Sequence, residues 1–421
     1  MKRTFRSSGV LLAVAMTAIL SGKILLAQEK QAAATSQEIT LKGPVMSEAS
    51  ALLNPPDSAE KILLLVAVEG TPEVTATVDA IMKENWPGEG SMDAEHARKL
   101  NNEWIKRLKY YITPTELTTG KEKDYRWRNP VKAVTGVVSE KDGQKWITPS
   151  KIVPAGPLAY PEKMYQPRKP FVMPGKTPLI LKVTDTLSLT CILVPPGKIF
   201  KGSFYHTYVR NDSYCRYDDD YPYMWTLTKP YYLAEIPVTQ EMYESVMGEN
   251  PSDQKNPQLP VTRVAATNVD RFCQILSEKN QRTVRLPTTA EMGNAGVVGT
   301  SDPSFLRKLT GLFSVAADGS SLLPVKTTAP NAWGFYDLIK PVGAGAYEMT
   351  SDRPTYPRKD EVDRSYPDRS GKNRAGTGTW GNGGSEFIKD GTGKGYFLTK
   401  IRVAVDATPE ETAEIAQAAK K

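Results

Sequence analysis

The chain opens with the cations Lys2, Arg3 and Arg6 and an apolar run from Val10 to Leu20. That order predicts a signal peptide over residues 1–27, cut near Gly22 or Ala27, because the run is short for a bilayer span of about 20 residues. Residues 28–54 are rich in Gln, Ala and Ser and read as a flexible tether. Ile62 to Val68 is apolar throughout, again too short to span, and reads as a buried strand or a helix turn. The period then changes. Thr71-Pro72 offers an N-cap with proline in the first turn, and Val74, Val78, Ile81 and Met82 recur at helical spacing. A second helix is expected from near Ser91, with Ala97, Leu100, Trp104, Leu108 and Tyr111 on one face and Pro114 as its stop. These stripes make residues 55–120 a helical region. Residues 121–186 combine short strand-like runs (Ala133 to Val138) with the prolines Pro154, Pro157, Pro161, Pro167, Pro170, Pro174 and Pro178. They read as a proline-rich connector. Further on, Val269, Phe272, Cys273 and Leu276 define another apolar helix face, and residues 407–421 read as a helical tail.

Composition narrows the classes of function. With 421 residues and 40% hydrophobic, the chain has material for a core. Its net charge is +7, but Lys2, Arg3, Arg6 and Lys23 lie in the leader, where no acid offsets them. No long basic stripe follows, so a dedicated nucleic-acid binder is not indicated. The two histidines, His96 and His206, exclude multi-histidine metal sites. The three cysteines, Cys191, Cys215 and Cys273, do not make a disulfide scaffold. Cys191 and Cys273 sit in apolar settings and read as small core residues, whereas Cys215 lies in a polar loop.

Several blocks then follow in a recognisable order. Leu193-Val194-Pro195-Pro196-Gly197 leads, and Val238-Thr239-Gln240-Glu241-Met242-Tyr243 follows. Asn250-Pro251-Ser252, Arg285-Leu286-Pro287-Thr288-Thr289-Ala290-Glu291 and Asn331-Ala332-Trp333-Gly334-Phe335-Tyr336-Asp337-Leu338 complete the series. Together they make residues 187–406 similar to the formylglycine-generating-enzyme, or sulfatase-modifying-factor, family. The resemblance implies an α+β domain of C-type-lectin-like fold, preceded here by a small, partly helical amino-terminal region.

The resemblance also implies chemistry that this sequence does not repeat. Members of the family bind copper through two cysteines in the carboxy-terminal part of the domain, and soft thiolates suit Cu(I). Here no cysteine follows position 273, Asn382-Gly383-Gly384-Ser385-Glu386-Phe387 replaces an RGGSW-like block, and Lys400-Ile401-Arg402 replaces a GFR-like one. No catalytic residue is therefore carried over, and copper is not expected. The family's calcium ligands align with the side chains of Asp337 and Glu348 and the backbone carbonyls of Ala344 and Ala346. Oxygen donors suit Ca²⁺. Extra residues separate them, and Gly345 stands where asparagine is usual, so a solvated loop with two ordinary carboxylates is the alternative.

A binding or assembly role for an exported, cell-envelope protein with no membrane span after leader removal is the leading expectation. Such a protein would act in the periplasm or outside the cell, with a cell-envelope protein or glycan as its partner. The candidate surface is aromatic: Tyr217, Tyr221, Tyr223, Trp225 and Trp380, beside the Asp218–Asp220 loop and Arg353. Equally, those rings fill gaps left by absent family tryptophans. The competing expectation is an oxidoreductase-type family enzyme with non-standard active-site residues. Hydrolysis by paired carboxylates among Asp218, Asp219 and Asp220 is the weakest, since adjacent acids are usually solvated.

Overall fold

The computed structural model describes residues 37–48, 62–85, 93–121, 131–155, 178–201, 223–296, 298, 322–338, 346–352, 360–363, 376–377 and 398–418. Five strands near the amino terminus close on themselves: β1 (Ile39–Ser47), β2 (Leu63–Val66), β3 (Lys109–Ile112), β4 (Val131–Lys141) and β5 (Gln144–Pro154). They form a closed barrel in the order β1-β2-β3-β5-β4. Neighbours run antiparallel except β3 and β5, which are parallel. Helices α1 (Pro72–Asn85) and α2 (Ala94–Leu108) connect β2 to β3. Each starts where its sequence supplies a cap. Thr71 Oγ1 accepts from the Val74 amide (3.3 Å), and Asp93 Oδ1 accepts from the His96 amide (2.8 Å). Val74, Val78, Ile81, Ala97, Leu100 and Trp104 then share one core with Leu41, Leu64 and Val134.

Closure depends on two positions without side chains. A Cβ on Gly43 would lie 1.8 Å from the Val66 carbonyl oxygen, and one on Gly136 would lie 2.2 Å from that of Thr148. Gly136 also sits at the register shift of the β4–β5 pair. Glycines and irregularities of this kind let strands bend and approach closely enough to form a barrel.

This architecture corrects three readings of the sequence. Residues 39–47, within the expected tether, are strand β1: Leu41, Val45 and Met46 are buried in the barrel although polar neighbours dilute the composition. The second helix stops at Leu108, because Lys109-Tyr110-Tyr111-Ile112 pairs with β2 on one side and β5 on the other. Tyr111 is thus a strand residue. Within the expected connector, residues 131–154 form a long hairpin turned by Asp142 and Gly143, both at positive φ. Its outward half is polar, which makes the sequence read as fragments. The prolines from Pro157 to Pro174 lie outside the described residues.

The second module is built on an antiparallel sheet of β6 (Leu179–Lys182), β7 (Ser188–Val194), β10 (Tyr231–Ala234), β11 (Val284–Arg285) and β16 (Ala404–Asp406). Its order is β11-β16-β10-β7-β6, so β6 extends the module upstream of residue 187. Helices α3 (Gln240–Met247) and α4 (Ala266–Asn280) place Tyr243, Val269, Phe272 and Leu276 in a core with Leu189, Cys191 and Val405. Thr239 caps α3, and Gly248 ends it in the left-handed region at φ 76°. Two small sheets complete the strands: β8 (Gly197–Lys201), β9 (Tyr223–Leu227) and β13 (Glu361–Val362), and β12 (Ala346–Met349), β14 (Gly376–Thr377) and β15 (Leu398–Lys400). The remaining helices are α5 (Thr289–Gly296) and α6 (Pro409–Ala418), the latter within the expected tail. The whole is a mixed α+β protein. No helix among the described residues is long and apolar enough to cross a membrane.

The two modules meet at β8 and β9. Tyr223, Trp225 and Leu227 belong to the core on one face of β9, whereas Met224 belongs to the barrel core on the other. In β8, Ile199 and Phe200 divide in the same way. Around this apolar joint, Lys198 pairs with Glu95 at 2.8 Å and Arg98 with Asp360 at 2.5 Å. The Arg98 guanidinium also lies over the Phe200 ring, 5.9 Å from its centroid.

Candidate functional site

The block that runs from β11 into α5 organises a polar cluster at the sheet's end. Pro287 stops the strand, and Thr288 caps the helix in a reciprocal box. Its amide donates to Glu291 Oε2 (2.7 Å), and the Glu291 amide donates to Thr288 Oγ1 (3.1 Å). Arg285 grips the same carboxylate bidentately, Nη1 to Oε2 at 2.8 Å and Nη2 to Oε1 at 2.7 Å. Its Nε reaches Asp406 at 2.8 Å. These acids outweigh the effect of burial and raise the Arg285 pKa further. Beneath them, the Tyr231 hydroxyl donates to the Glu291 carbonyl at 2.7 Å.

A cavity of about 440 Å³ opens over this cluster, with Lys229, Arg285, Ser351, Asp363 and Thr412 in its wall. Its acids are engaged. Glu291 and Asp406 hold Arg285, and Asp363 accepts from the Thr228 amide at 2.6 Å and from its hydroxyl. Ser351 Oγ donates to the Pro287 carbonyl at 3.4 Å. The other cation of the wall, Lys229, is exposed. Among the described residues that line the cavity there is no histidine or cysteine.

A second charged cluster is fully interior. Asn331 folds the loop that leads to it: its Oδ1 accepts from the amides of Trp333 (3.0 Å) and Phe335 (3.1 Å), and its Nδ2 donates to the Ala295 carbonyl (2.9 Å). The loop delivers Asp337 at φ 58°, a left-handed conformation that aspartate tolerates. The parallel pairing of β12 with β15 sets Glu348 opposite Lys400. Asp337, Glu348, Lys400 and Arg402 are all buried. Arg402 clasps Glu348 with Nε (2.8 Å) and Nη2 (2.9 Å), and donates to the carbonyls of Ala234 and Tyr336, each at 2.8 Å. Lys400 Nζ donates to the Asp337 carbonyl at 3.1 Å and lies 3.6 Å from Glu348 Oε1. Burial lowers the Lys400 pKa against the opposing pull of Glu348, and burial likewise raises that of Asp337.

These facts bear on the residues expected from sequence. Of the calcium set, Asp337 and Glu348 do converge, while Ala346 is paired with Leu398 in the β12–β15 ladder and Ala344 lies outside the described residues. The set does not fit a calcium ion. Both Glu348 oxygens are taken by Arg402, Asp337 Oδ2 accepts from the Lys326 amide (3.2 Å), and an ammonium stands between them. Of the aromatic surface, Tyr223 and Trp225 are core residues, 2% and 3% exposed, with ring centroids 5.5 Å apart. They cannot present faces to a partner, because they point into the domain core with Ile199, Trp333 and Phe335, on the side of β9 away from the barrel. Tyr217, Tyr221, Arg353 and Trp380 lie outside the described residues, as do Asp218–Asp220 and Cys215. Cys191 is a buried free thiol whose pKa burial pushes up to about 12, and Cys273 is buried in the same core. Lys229 and Lys400 escaped sequence reasoning. Lys400 had a signal: a long cation where a closing GFR-like block calls for a small residue.

Residues 182–385 match the family model described as "Sulfatase-modifying factor enzyme 1-like domain". The chain therefore carries a sulfatase-modifying-factor-like domain. This domain includes β7 to β10, both α3 and α4, the Arg285–Glu291 block and the loop bearing Asp337. Among solved structures, Treponema denticola variable protein 1 is 20% identical, with 55% of this chain and 100% of that one aligned at a TM-score of 0.43. PvdO from Pseudomonas aeruginosa is 15% identical over 55% of this chain and 100% of its own, at 0.39. CarF is 14% identical over 52% and 99%, at 0.32. No curated protein matches the chain.

Proposed function

We propose that the chain is an exported binding or assembly module of the cell envelope, in which the sulfatase-modifying-factor-like domain recognises a protein or glycan and performs no oxidation. The observation that carries this reading is the state of the cavity over Arg285. Lys229 is exposed in its wall and Ser351 and Thr412 are half-buried there, while its carboxylates are held by Arg285 and Thr228. Groups arranged in this way fix the orientation of a polar partner, and no histidine or cysteine stands among the described lining residues to act as base or nucleophile. The sequence supports the same reading, since no cysteine follows position 273 to supply a copper-binding pair. Export rests on the cationic and apolar leader.

Two measurements test the reading. Incubation of the purified chain with Cu(I), oxygen and a cysteine-containing sulfatase peptide is expected to yield no aldehyde by mass spectrometry. Copper-dependent turnover would overturn the non-catalytic role. Amino-terminal sequencing of periplasmic or secreted material is expected to begin between Lys23 and Thr35, and an intact Met1 on cytosolic protein would overturn export.

A further inference from the structure

We infer that Lys400 is a built-in cation that takes the place of a metal ion, so that this domain is locked without calcium where the family resemblance calls for it. The argument starts from charge. Asp337 and Glu348 bring two negative charges into the interior, and Lys400 and Arg402 bring two positive ones, so the cluster is balanced as it stands. A divalent ion added to it would face an ammonium and a guanidinium in a medium that screens poorly. Geometry agrees. The ammonium reaches the Asp337 carbonyl at 3.1 Å and sits 3.6 Å from Glu348 Oε1, bridging the loop after Asn331 to strand β12. That bridge is the mechanical role of a structural cation: it ties a left-handed loop residue to a strand. Calcium would require six to eight oxygens at about 2.3–2.6 Å, and Glu348 already gives both of its oxygens to Arg402.

The lysine differs from a metal in one consequence: it cannot be chelated away or depleted. Removing its side chain should therefore do two things together. The cluster acquires a net negative charge, and the volume left by the lysine becomes available to a hydrated cation.

The test is thermal unfolding of the full chain in millimolar CaCl₂, MgCl₂ or EDTA, with terbium luminescence as a direct probe of binding. The wild-type chain is expected to show the same Tm in all three and no terbium signal. Lys400→Gly is expected to unfold several degrees lower in EDTA, to regain part of that loss in calcium but not magnesium, and to bind terbium. A calcium-raised Tm or terbium binding at this cluster in the wild-type chain overturns the inference. So does a folded Lys400→Gly chain that is indifferent to calcium. Where Lys400→Gly does not fold in EDTA, refolding it in calcium decides: recovery supports the inference, and failure there, alongside a Lys400→Ala chain without terbium binding, overturns it.

Discussion

Trp225 shows how much one ring's surroundings decide. Its neighbours Tyr223, Leu227, Ile199 and Trp333 bury it in the core beneath β9. Trp225→Ala is accordingly expected to cost about 3–5 kcal/mol, the usual loss for a truncated buried aromatic, read as a lower Tm. A Tm within a degree of wild type would return the ring to the surface. Glu411 carries a second residue-scale prediction. Its carboxylate accepts from the Thr408 amide (2.7 Å), Arg282 Nη2 (2.8 Å) and the Tyr232 hydroxyl (2.9 Å). Burial alone would raise its pKa, but these donors prevail and hold it below the ordinary 4.5. The unfolded chain then binds the proton more tightly, so the stabilisation is complete above pH 4.5 and is lost as pH falls through the lower folded value. Glu411→Gln is expected to lose about 0.5–2 kcal/mol at neutral pH, the range for a lost helix cap. The gap from wild type should close in acid. A gap that stays constant from neutral pH into acid would contradict the assignment.

At the scale of elements, the barrel rests on bare backbone. Gly43→Ala forces a methyl against the Val66 carbonyl, a clash that only backbone movement relieves. The expected cost is on the order of 1–3 kcal/mol. Amide exchange should accelerate at Leu41 and Leu65 in the barrel and stay unchanged at Leu233 in the larger sheet. Equal acceleration in both would mean that the strain is not local. The helices α1, α2 and α4 were legible in sequence through apolar stripes of period 3.6, with the Thr71 cap ahead of α1, whereas α3 was legible through the resemblance. The Arg285–Glu291 block and the Asp337 loop were legible through the resemblance. Strand β1 and the β4–β5 hairpin were not, since a barrel strand pairs with residues far along the chain and local composition carries no trace of that partner. Lys400 was visible as a departure, but its role needed the β12–β15 pairing that sets it against Glu348.

Across the whole molecule, the joint between barrel and domain makes two modules behave as one. Phe200 is 1% exposed and belongs to the barrel core although its strand belongs to the other module. Phe200→Ala is expected to split a single calorimetric transition into two, because it empties the apolar centre of the joint and leaves its partly exposed ion pairs, which contribute little alone. One transition, merely shifted, would mean that the coupling lies elsewhere. Strand β16 has a further consequence, for the order in which the protein comes into being. It stands between β10 and β11, so residues 404–406 must arrive before the sheet that they divide can zip together. On the ribosome, Tyr231 to Ala234 therefore waits for a neighbour made more than a hundred and sixty residues later. Pairings so distant along the chain form slowly. A central sheet that stays open until residues 404–406 emerge is unfinished while its earlier strands are already made, which suits the delivery through a membrane channel proposed for it.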